Sequence, residues 1–258
     1  MNYEWFKAQV LSLTGINLTA YKENQMKRRI DALIKKNMCS GYGEYLIKLK
    51  SDRKSLEDFL TYLTINVTEF FRNPSQWEVL EQQIFPLLLQ KKKNIKIWSA
   101  ACSTGDEPYS LAMTLSKFIP ISQIQILATD IDKEVLAKAQ EGFYPLKNLV
   151  NLPESFREKF MVPMEDGFRI KDDLKKCITF RQHNLLKDPY PLGMDLIVCR
   201  NVLIYFTEEA KRDIYTNFNR ALVEEGILFV GSTEQIIMCQ DFGFESNKIF
   251  FYQKKKKM

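Results

Sequence analysis

The residues with most chemical content lie in one stretch, Ile97-Trp98-Ser99-Ala100-Ala101-Cys102-Ser103-Thr104-Gly105-Asp106-Glu107-Pro108-Tyr109. Ile95, Ile97 and the small residues from Ala100 onward read as a buried strand ending in a tight turn, and Pro108 has the fixed φ that suits the first turn of a helix. Such a strand–loop–helix corner directs backbone N–H groups toward one point, and Ala, Ser and Gly let a ligand approach closely. Asp106 and Glu107 stand where a phosphate-binding loop would carry positive charge or none. The stretch also lacks G-x-G-x-x-G and G-x-x-x-x-G-K-[ST]. It therefore speaks against a dinucleotide or nucleoside triphosphate and for a cationic or amine-bearing ligand.

The elements that must position this corner alternate. The pattern predicts strands over Lys96–Ala101, Gln125–Thr129, Ile178–Gln182, Asp195–Cys199 and Ile227–Val230. It predicts helices over Trp77–Gln90, Tyr109–Phe118, Lys133–Glu141 (closed by Gly142) and Glu208–Leu222, with a closing hairpin of Phe242–Glu245 and Ile249–Tyr252. Alternation of this kind implies an α/β fold, a mostly parallel sheet with helices on both faces and ligands at the carboxyl ends of its strands. Those ends carry Cys102–Glu107, Asp130, Asn184, and Arg200 with Asn201. Asp130 closes the second strand, about where an acidic residue grips ribose hydroxyls in nucleoside-binding folds. As a helix cap it would be unremarkable.

Composition narrows the classes. At 258 residues and 45% hydrophobic content the chain can bury a core in one large and one small domain. No run approaches the roughly 18 apolar residues of a membrane span, and Glu4 and Lys7 interrupt any leader core, so a cytoplasmic protein without membrane insertion is expected. Five cysteines without a C-x-x-C pair argue against a disulfide framework, and Cys102 and Cys199 read as small core residues. With His183 as its one histidine, the chain has no multi-histidine zinc site and no two-histidine mechanism; His183 itself reads as packed or hydrogen-bonded. A net charge of +5 permits an acidic partner without requiring nucleic acid.

Trp5 to about Leu63 shows helical spacing, with Gly15, Gly41 and Gly43 as expected breaks. Met26, Ile30, Leu33 and Ile34 form one buried face, leaving Lys27, Arg28, Arg29, Lys35 and Lys36 on the remaining arc. Charge pattern alone favours a solvated face; five cations against the single Asp31 also suit docking of an acidic partner. The linker Thr64–Pro74 places Asn66 and Thr68 on one side of an extended chain, with Arg72 further along, and taken alone these could be caps and a surface ion pair. Between Tyr144 and Cys177 the alternation lapses around one strand-like run, Phe168–Ile170, read as a small β-insertion. Lys254–Lys257 reads as a frayed tail.

Taken together, W-S-A-A-C-S-T-G-D-E-P-Y-S, A-T-D-I-D (Ala128–Asp132), Asn66–Asn73, Asn184–Leu185 and C-R-N-V-L-I-Y-F (Cys199–Phe206) resemble the chemotaxis receptor methyltransferases, the CheR family, in the family's order and over essentially the whole chain. The resemblance implies an all-α N-terminal receptor-recognition domain and linker (1–73), then a Rossmann-like S-adenosylmethionine-dependent methyltransferase domain (74–258). The latter would hold a seven-stranded, mostly parallel sheet with a C-terminal antiparallel hairpin and a β-subdomain insertion at about 160–176. It also implies the activity: methyl transfer to glutamate carboxylates on the cytoplasmic helical bundle of chemoreceptors, by a protein-glutamate O-methyltransferase. A monomer is expected, and the lack of aromatic interleaving and of a recognised binding motif speaks against nucleic acid as a partner. Cofactor contacts carried over fall on Asn66, Thr68, Arg72, Glu107, Asp130, Asn184, Leu185, Arg200 and Asn201. Tyr205 matches the family tyrosine near the transferred methyl, and Arg72 and Tyr205 are the expected catalytic pair. Two departures stand out. Asp106 replaces a Glu found in many members, and Met161–Asp173 is short and glycine-poor for gripping a receptor C-terminal pentapeptide.

The residues agree with that chemistry. A free glutamate, with a pKa of about 4.3, is already ionised at neutral pH, so displacement at a sulfonium methyl needs no general base and near absence of histidine is no obstacle. On this reading Asp130 takes the ribose hydroxyls, Glu107 faces the amino-acid portion, and Asn184 with Leu185 frames the adenine. Arg72 or Arg200 would pair with a carboxylate of cofactor or substrate. Tyr205 would line the methyl path, the competing reading being a core tyrosine. Two other classes compete: a methyltransferase for another protein or a small acid, and a non-catalytic S-adenosylmethionine sensor.

Overall fold

The computed structural model describes residues 1–64, 66 and 68–256. Its residues form two units, Met1–Asn66 with Val202–Ile214, and Val67–Asn201 with Tyr215–Met258.

The first unit is built on α1 (Tyr3–Thr14), α2 (Glu23–Lys36), α3 (Tyr42–Ser51) and α4 (Arg53–Thr64). Asn2 caps α1 by accepting the Trp5 N–H, and Gly15 ends it at φ 74°, a left-handed position that glycine adopts without penalty. Gly41 precedes α3, whereas Gly43 lies inside that helix instead of breaking it. The buried residues of α2 are Met26, Ile30, Leu33 and Ile34, the face its spacing predicts. Phe6, Tyr45 and Phe59 form an aromatic centre with ring centroids 6.0 to 6.4 Å apart. Lys22 N–H donates to Tyr205 O and Thr207 N–H to Ala20 O, while Tyr21 packs on Phe206. The second half of C-R-N-V-L-I-Y-F thus belongs to the helical unit.

The second unit carries α5 (Pro74–Val79) and α6 (Phe85–Lys91), joined by a π-turn at Leu80–Ile84. Pro86, which has no N–H to give, stands in the first turn of α6, and the wide turn before it accommodates that loss. The sheet strands are β1 (Lys96–Ala100), β2 (Gln125–Asp130), β6 (Ile178–Gln182), β7 (Met194–Cys199), β8 (Leu222–Val230), β9 (Phe244–Lys248) and β10 (Phe251–Lys254), in the order β6-β2-β1-β7-β8-β10-β9. The first five are parallel and the last two form the antiparallel hairpin. β7 is buried along its length, as a parallel strand covered on both faces must be. The connecting helices are α7 (Asp106–Leu115), α8 (Lys133–Glu141) and α11 (Glu208–Ala221). The chain builds outward from β1 to β2 and β6, then returns to β7 on the other side of β1, which places the topological switch point between β1 and β7.

Two local expectations change. The small β-insertion is a three-stranded sheet, β3 (Phe143–Pro145), β5 (Gly167–Ile170) and β4 (Met161–Met164), so Phe168–Ile170 has partners on both sides and the subdomain recruits residues before 160. Beside it lie the short helices α9 (Glu154–Phe160) and α10 (Asp172–Lys175). The expected frayed tail is not frayed at Lys254: it closes β10, and its Nζ donates to Asn219 O and Leu222 O, both at 2.7 Å, capping the carboxyl end of α11. Lys257 lies outside the described residues. Among those residues, no helix is long and apolar enough to cross a membrane.

Phe251 is fully buried and stacks on Phe229 with centroids 4.1 Å apart. Truncating it leaves a cavity in the core beside Phe229. Phe251→Ala is expected to lower unfolding free energy by about 3–5 kcal/mol in urea titration.

Candidate active site

The carboxyl edge of the parallel strands is where the backbone is least ordinary. Ala101, Ser103 and Gly105 are left-handed at φ 63°, 48° and 91°, and Phe71, Asn73 and Asn201 at 50°, 59° and 59°. For residues with a Cβ this costs about 1–3 kcal/mol each and persists only where surrounding contacts enforce it. At Gly105 a Cβ would stand 2.9 Å from Ala139 Cβ and 3.1 Å from Tyr144 Oη. Only glycine fits there.

The corner's amides are already engaged. Cys102 N–H bonds Thr129 O, Gly105 N–H bonds Cys102 O, and Ser103 N–H donates to Asp130 Oδ2 at 2.8 Å. Asp130 Oδ1 accepts the Asp132 N–H at 3.0 Å. Burial pushes the Asp130 carboxyl up to about 6 against the opposing pull of these N–H groups. With these three N–H groups turned to protein acceptors and Asp130 and Glu107 beside it, the loop is poorly suited to an anion.

Across the switch point, Glu107 and Arg200 pair. Glu107 sits in the first turn of α7, accepts the Ser99 hydroxyl at 2.8 Å, and lies 3.6 Å from Arg200 Nη1. Burial raises its pKa and the guanidinium opposes the rise. Arg200 follows β7, and its Nη2 donates to Arg72 O at 2.7 Å, Gln76 Oε1 at 2.8 Å and Asn73 Oδ1 at 3.1 Å. Its guanidinium also lies 4.8 Å from the Phe229 ring centroid. Burial pulls the Arg200 pKa down, offset by Glu107.

The structure thus brings Glu107, Arg200 and the Arg72 backbone into one bonded group, with Asn201 next to Arg200 in the chain and Asp130 one strand away. Thr68 is half-buried on the segment leading to Phe70. Asn184 follows β6; its Oδ1 accepts the Leu186 N–H at 2.9 Å, its N–H bonds Asp188 Oδ2, and Leu185 is buried. His183 is buried between Trp98 and Tyr190, with its pKa lowered by desolvation. Asn66 and Tyr205 belong to the helical unit, where Asn66 Nδ2 donates to Thr64 Oγ1. The expected extended run through Asn66 and Thr68 rests partly on Ile65 and Val67, outside the described residues.

Of the five α2 cations, Lys27, Arg28, Lys35 and Lys36 are exposed. Arg29 departs from the solvated arc: its guanidinium donates to Tyr62 O and lies 4.3 Å from the Tyr62 ring centroid. Asp31 accepts the Tyr42 hydroxyl at 2.6 Å.

Sequence reasoning missed Ser99, Asn73, Gln76 and Glu234. Of these only Glu234 had a signal, since it follows β8 at the same edge as the strand ends that were read. Several buried atoms here have no protein partner: Ser103 Oγ, Asp106 Oδ1, Arg200 Nε and Asn201 Oδ1. Carboxylates also outnumber the one buried guanidinium. The unpartnered atoms fit a polar ligand, and the excess of carboxylate fits one with cationic character.

The fold and edge define a class: a doubly wound α/β domain with buried carboxylates gathered at the switch point of its sheet, where domains of this kind take their ligands. Residues 1–64 match the family described as CheR methyltransferase, all-alpha domain, and residues 66–250 match CheR methyltransferase, SAM binding domain. The chain belongs to the CheR methyltransferase family and is a methyltransferase that uses S-adenosylmethionine. It is 42% identical over 254 residues to the chemotaxis protein methyltransferase of Listeria innocua serovar 6a, covering 98% of this chain and 97% of that one. To the chemotaxis protein methyltransferase of Borreliella burgdorferi it is 34% identical, covering 86% of this chain and 83% of the relative. To that of Salmonella typhimurium it is 32% identical, covering 94% and 86%.

Asp106 is fully buried, and burial lifts its carboxyl to about 6 despite a 2.6 Å bond from the Thr104 hydroxyl. An exposed aspartate titrates near 3.9, so the unfolded chain releases this proton first. The stability that the protonated group contributes in acid is lost as pH rises from about 4 through 6. Asp106→Asn keeps an acceptor for Thr104 without the buried charge. Calorimetry is expected to show a raised melting temperature at pH 7.5 and a smaller gain at pH 5.

Proposed function

We propose that this protein methylates glutamate side chains on the cytoplasmic helices of chemoreceptors, forming the methyl esters of chemotactic adaptation. The observation that carries the reading is the switch-point edge itself, rich in buried carboxylate and with its one histidine packed away. That environment suits a cationic cofactor and a reaction that needs no general base. Bound S-adenosylmethionine supplies an electrophilic methyl group, and an ionised glutamate oxygen can attack it directly. The protein's work is then to orient, desolvate and exclude water.

In this reading Asp130 holds the ribose hydroxyls, and Glu107 with Asn201 faces the amino-acid portion. Asn184 and Leu185 frame the adenine, and Asn66, Thr68 and Arg72 complete the cofactor contacts. Arg200 contributes by fixing the Arg72–Gln76 segment, since its Nη2 meets the acceptors of that segment and its Nη1 faces Glu107. Arg72 and Tyr205 act beside the transferred methyl. Residues 1–73 recognise the receptor and 74–258 perform the transfer. The names of the relatives, chemotaxis protein methyltransferases over nearly the full chain, support the receptor as substrate.

The four exposed α2 cations suit a receptor bundle that presents glutamates in a row, and such complementarity acts mainly on encounter rate. Arg28→Glu combined with Lys35→Glu is expected to slow receptor methylation about tenfold at low salt and flatten its salt dependence. Titration of S-adenosylhomocysteine should show unchanged affinity; its loss would point to misfolding.

The direct test is transfer of label from S-adenosylmethionine to a chemoreceptor cytoplasmic fragment, scored as base-labile methyl ester, with Glu→Ala receptor variants as control. Glutamate-dependent label is expected. Cofactor binding without label would turn the assignment toward another substrate or a sensing role.

A further inference from the structure

The turn after β8 carries a buried acid that binds two backbone N–H groups at the carboxyl edge. Glu234, 5% exposed, accepts the Asn201 N–H at 2.5 Å and the Gly231 N–H at 2.9 Å, both on Oε2. Its own N–H donates to Gly231 O at 3.0 Å. One carboxylate oxygen therefore ties the turn leaving β7 to the turn leaving β8. The fit leaves no room: a Cβ on Gly231 would stand 2.6 Å from Glu234 Oε2 and 2.8 Å from Asn201 N.

What this clasp holds is unusual. Asn201 is left-handed at φ 59°, and its Oδ1 is buried with no protein donor. The preceding residue, Arg200, pairs with Glu107 at 3.6 Å, while Asn201 Cγ lies against the turn leaving β8, 3.1 Å from where a Cβ on Gly231 would stand. An amide oxygen kept from water and lacking a donor is complementary to an ammonium group, which carries three donors and no acceptor.

We propose that Glu234 is a positioning residue of the S-adenosylmethionine site, holding Asn201 in the left-handed conformation that offers its Oδ1 to the ammonium group of the cofactor. The inference rests on the placement of the cofactor's amino-acid portion beside Glu107 and Asn201. The role is geometric. Because one oxygen receives both N–H groups, the amide oxygen of a glutamine can replace it.

The test is calorimetric titration of the full chain with S-adenosylhomocysteine and with 5′-methylthioadenosine, which keeps the nucleoside and lacks the ammonium-bearing portion. Melting temperature is recorded for every variant. Asn201→Ala and Glu234→Ala are each expected to weaken S-adenosylhomocysteine about tenfold, and 5′-methylthioadenosine less than about threefold. The double variant should be no worse than either single one, because both act through the same oxygen. Glu234→Gln should bind within about threefold of the parent. Equal weakening of both ligands, additive losses in the double variant, or a Glu234→Gln defect as large as that of Glu234→Ala would overturn the proposal. If Glu234→Ala does not fold, Glu234→Gln decides alone: retained S-adenosylhomocysteine affinity upholds the geometric role and a tenfold loss refutes it. Failure of the parent protein to bind S-adenosylhomocysteine would instead strike the underlying site reading.

Discussion

The site depends on one buried cation. Arg200 leaves the end of β7 and meets Glu107, which stands just past the end of β1, across the switch point where the sheet reverses its order. Removing one member of such a pair strands the other charge in a low dielectric, at about 3–5 kcal/mol. The same guanidinium gathers Arg72 O, Asn73 Oδ1 and Gln76 Oε1, so the segment that brings the chain into the second unit is fixed by the residue that neutralises the acid of the corner. Its charge is answered from within the protein. Asp130 and Asp106 have no comparable cation, and that surplus of buried carboxylate is what suits a positively charged ligand.

Strain follows from this closeness. Left-handed backbone at Phe71, Asn73, Ala101, Ser103 and Asn201 is scattered in sequence and gathered at the carboxyl edge of the sheet. Four of the five are held by a specific bond: Phe71 N–H on Ser110 Oγ, Asn73 Oδ1 on Arg200, Ser103 N–H on Asp130, Asn201 N–H on Glu234. Ser110 in turn donates to Asp106 O, tying the entering segment to the first turn of α7. The sheet supplies rigid strand ends and these bonds turn them into a shaped surface, so substitutions among them should alter ligand affinity before they alter the fold.

Much of this was legible in the sequence, for identifiable reasons. Parallel strands buried on both faces read as apolar runs, and Gly142 and Pro108 punctuate α8 and α7 through φ preferences that no tertiary contact overrides. The α2 face was legible because four apolar residues at helical spacing have few alternatives. Other features depend on distant contacts. The pairing of Phe143–Pro145 with Gly167–Ile170 joins residues more than twenty apart, which the local Asp166-Gly167 turn signal cannot reveal. Gln76 and Ser99 are ordinary polar residues until the fold presents them to Arg200 and Glu107. Arg29 looked like its neighbours because its carbonyl and ring partner, Tyr62, lies on another helix.

If the Arg200–Glu107 pair organises the edge, its members should lose their individual importance once both are neutral. The measurement is a double-mutant cycle in denaturant with Arg200→Met and Glu107→Gln. Arg200→Met alone should destabilise by about 3–5 kcal/mol, and the double variant should recover at least 1 kcal/mol of that loss, roughly the coupling expected of groups in direct contact. Strictly additive losses would contradict the account, because they would mean that each residue is held by its other contacts and that no shared buried charge governs the site.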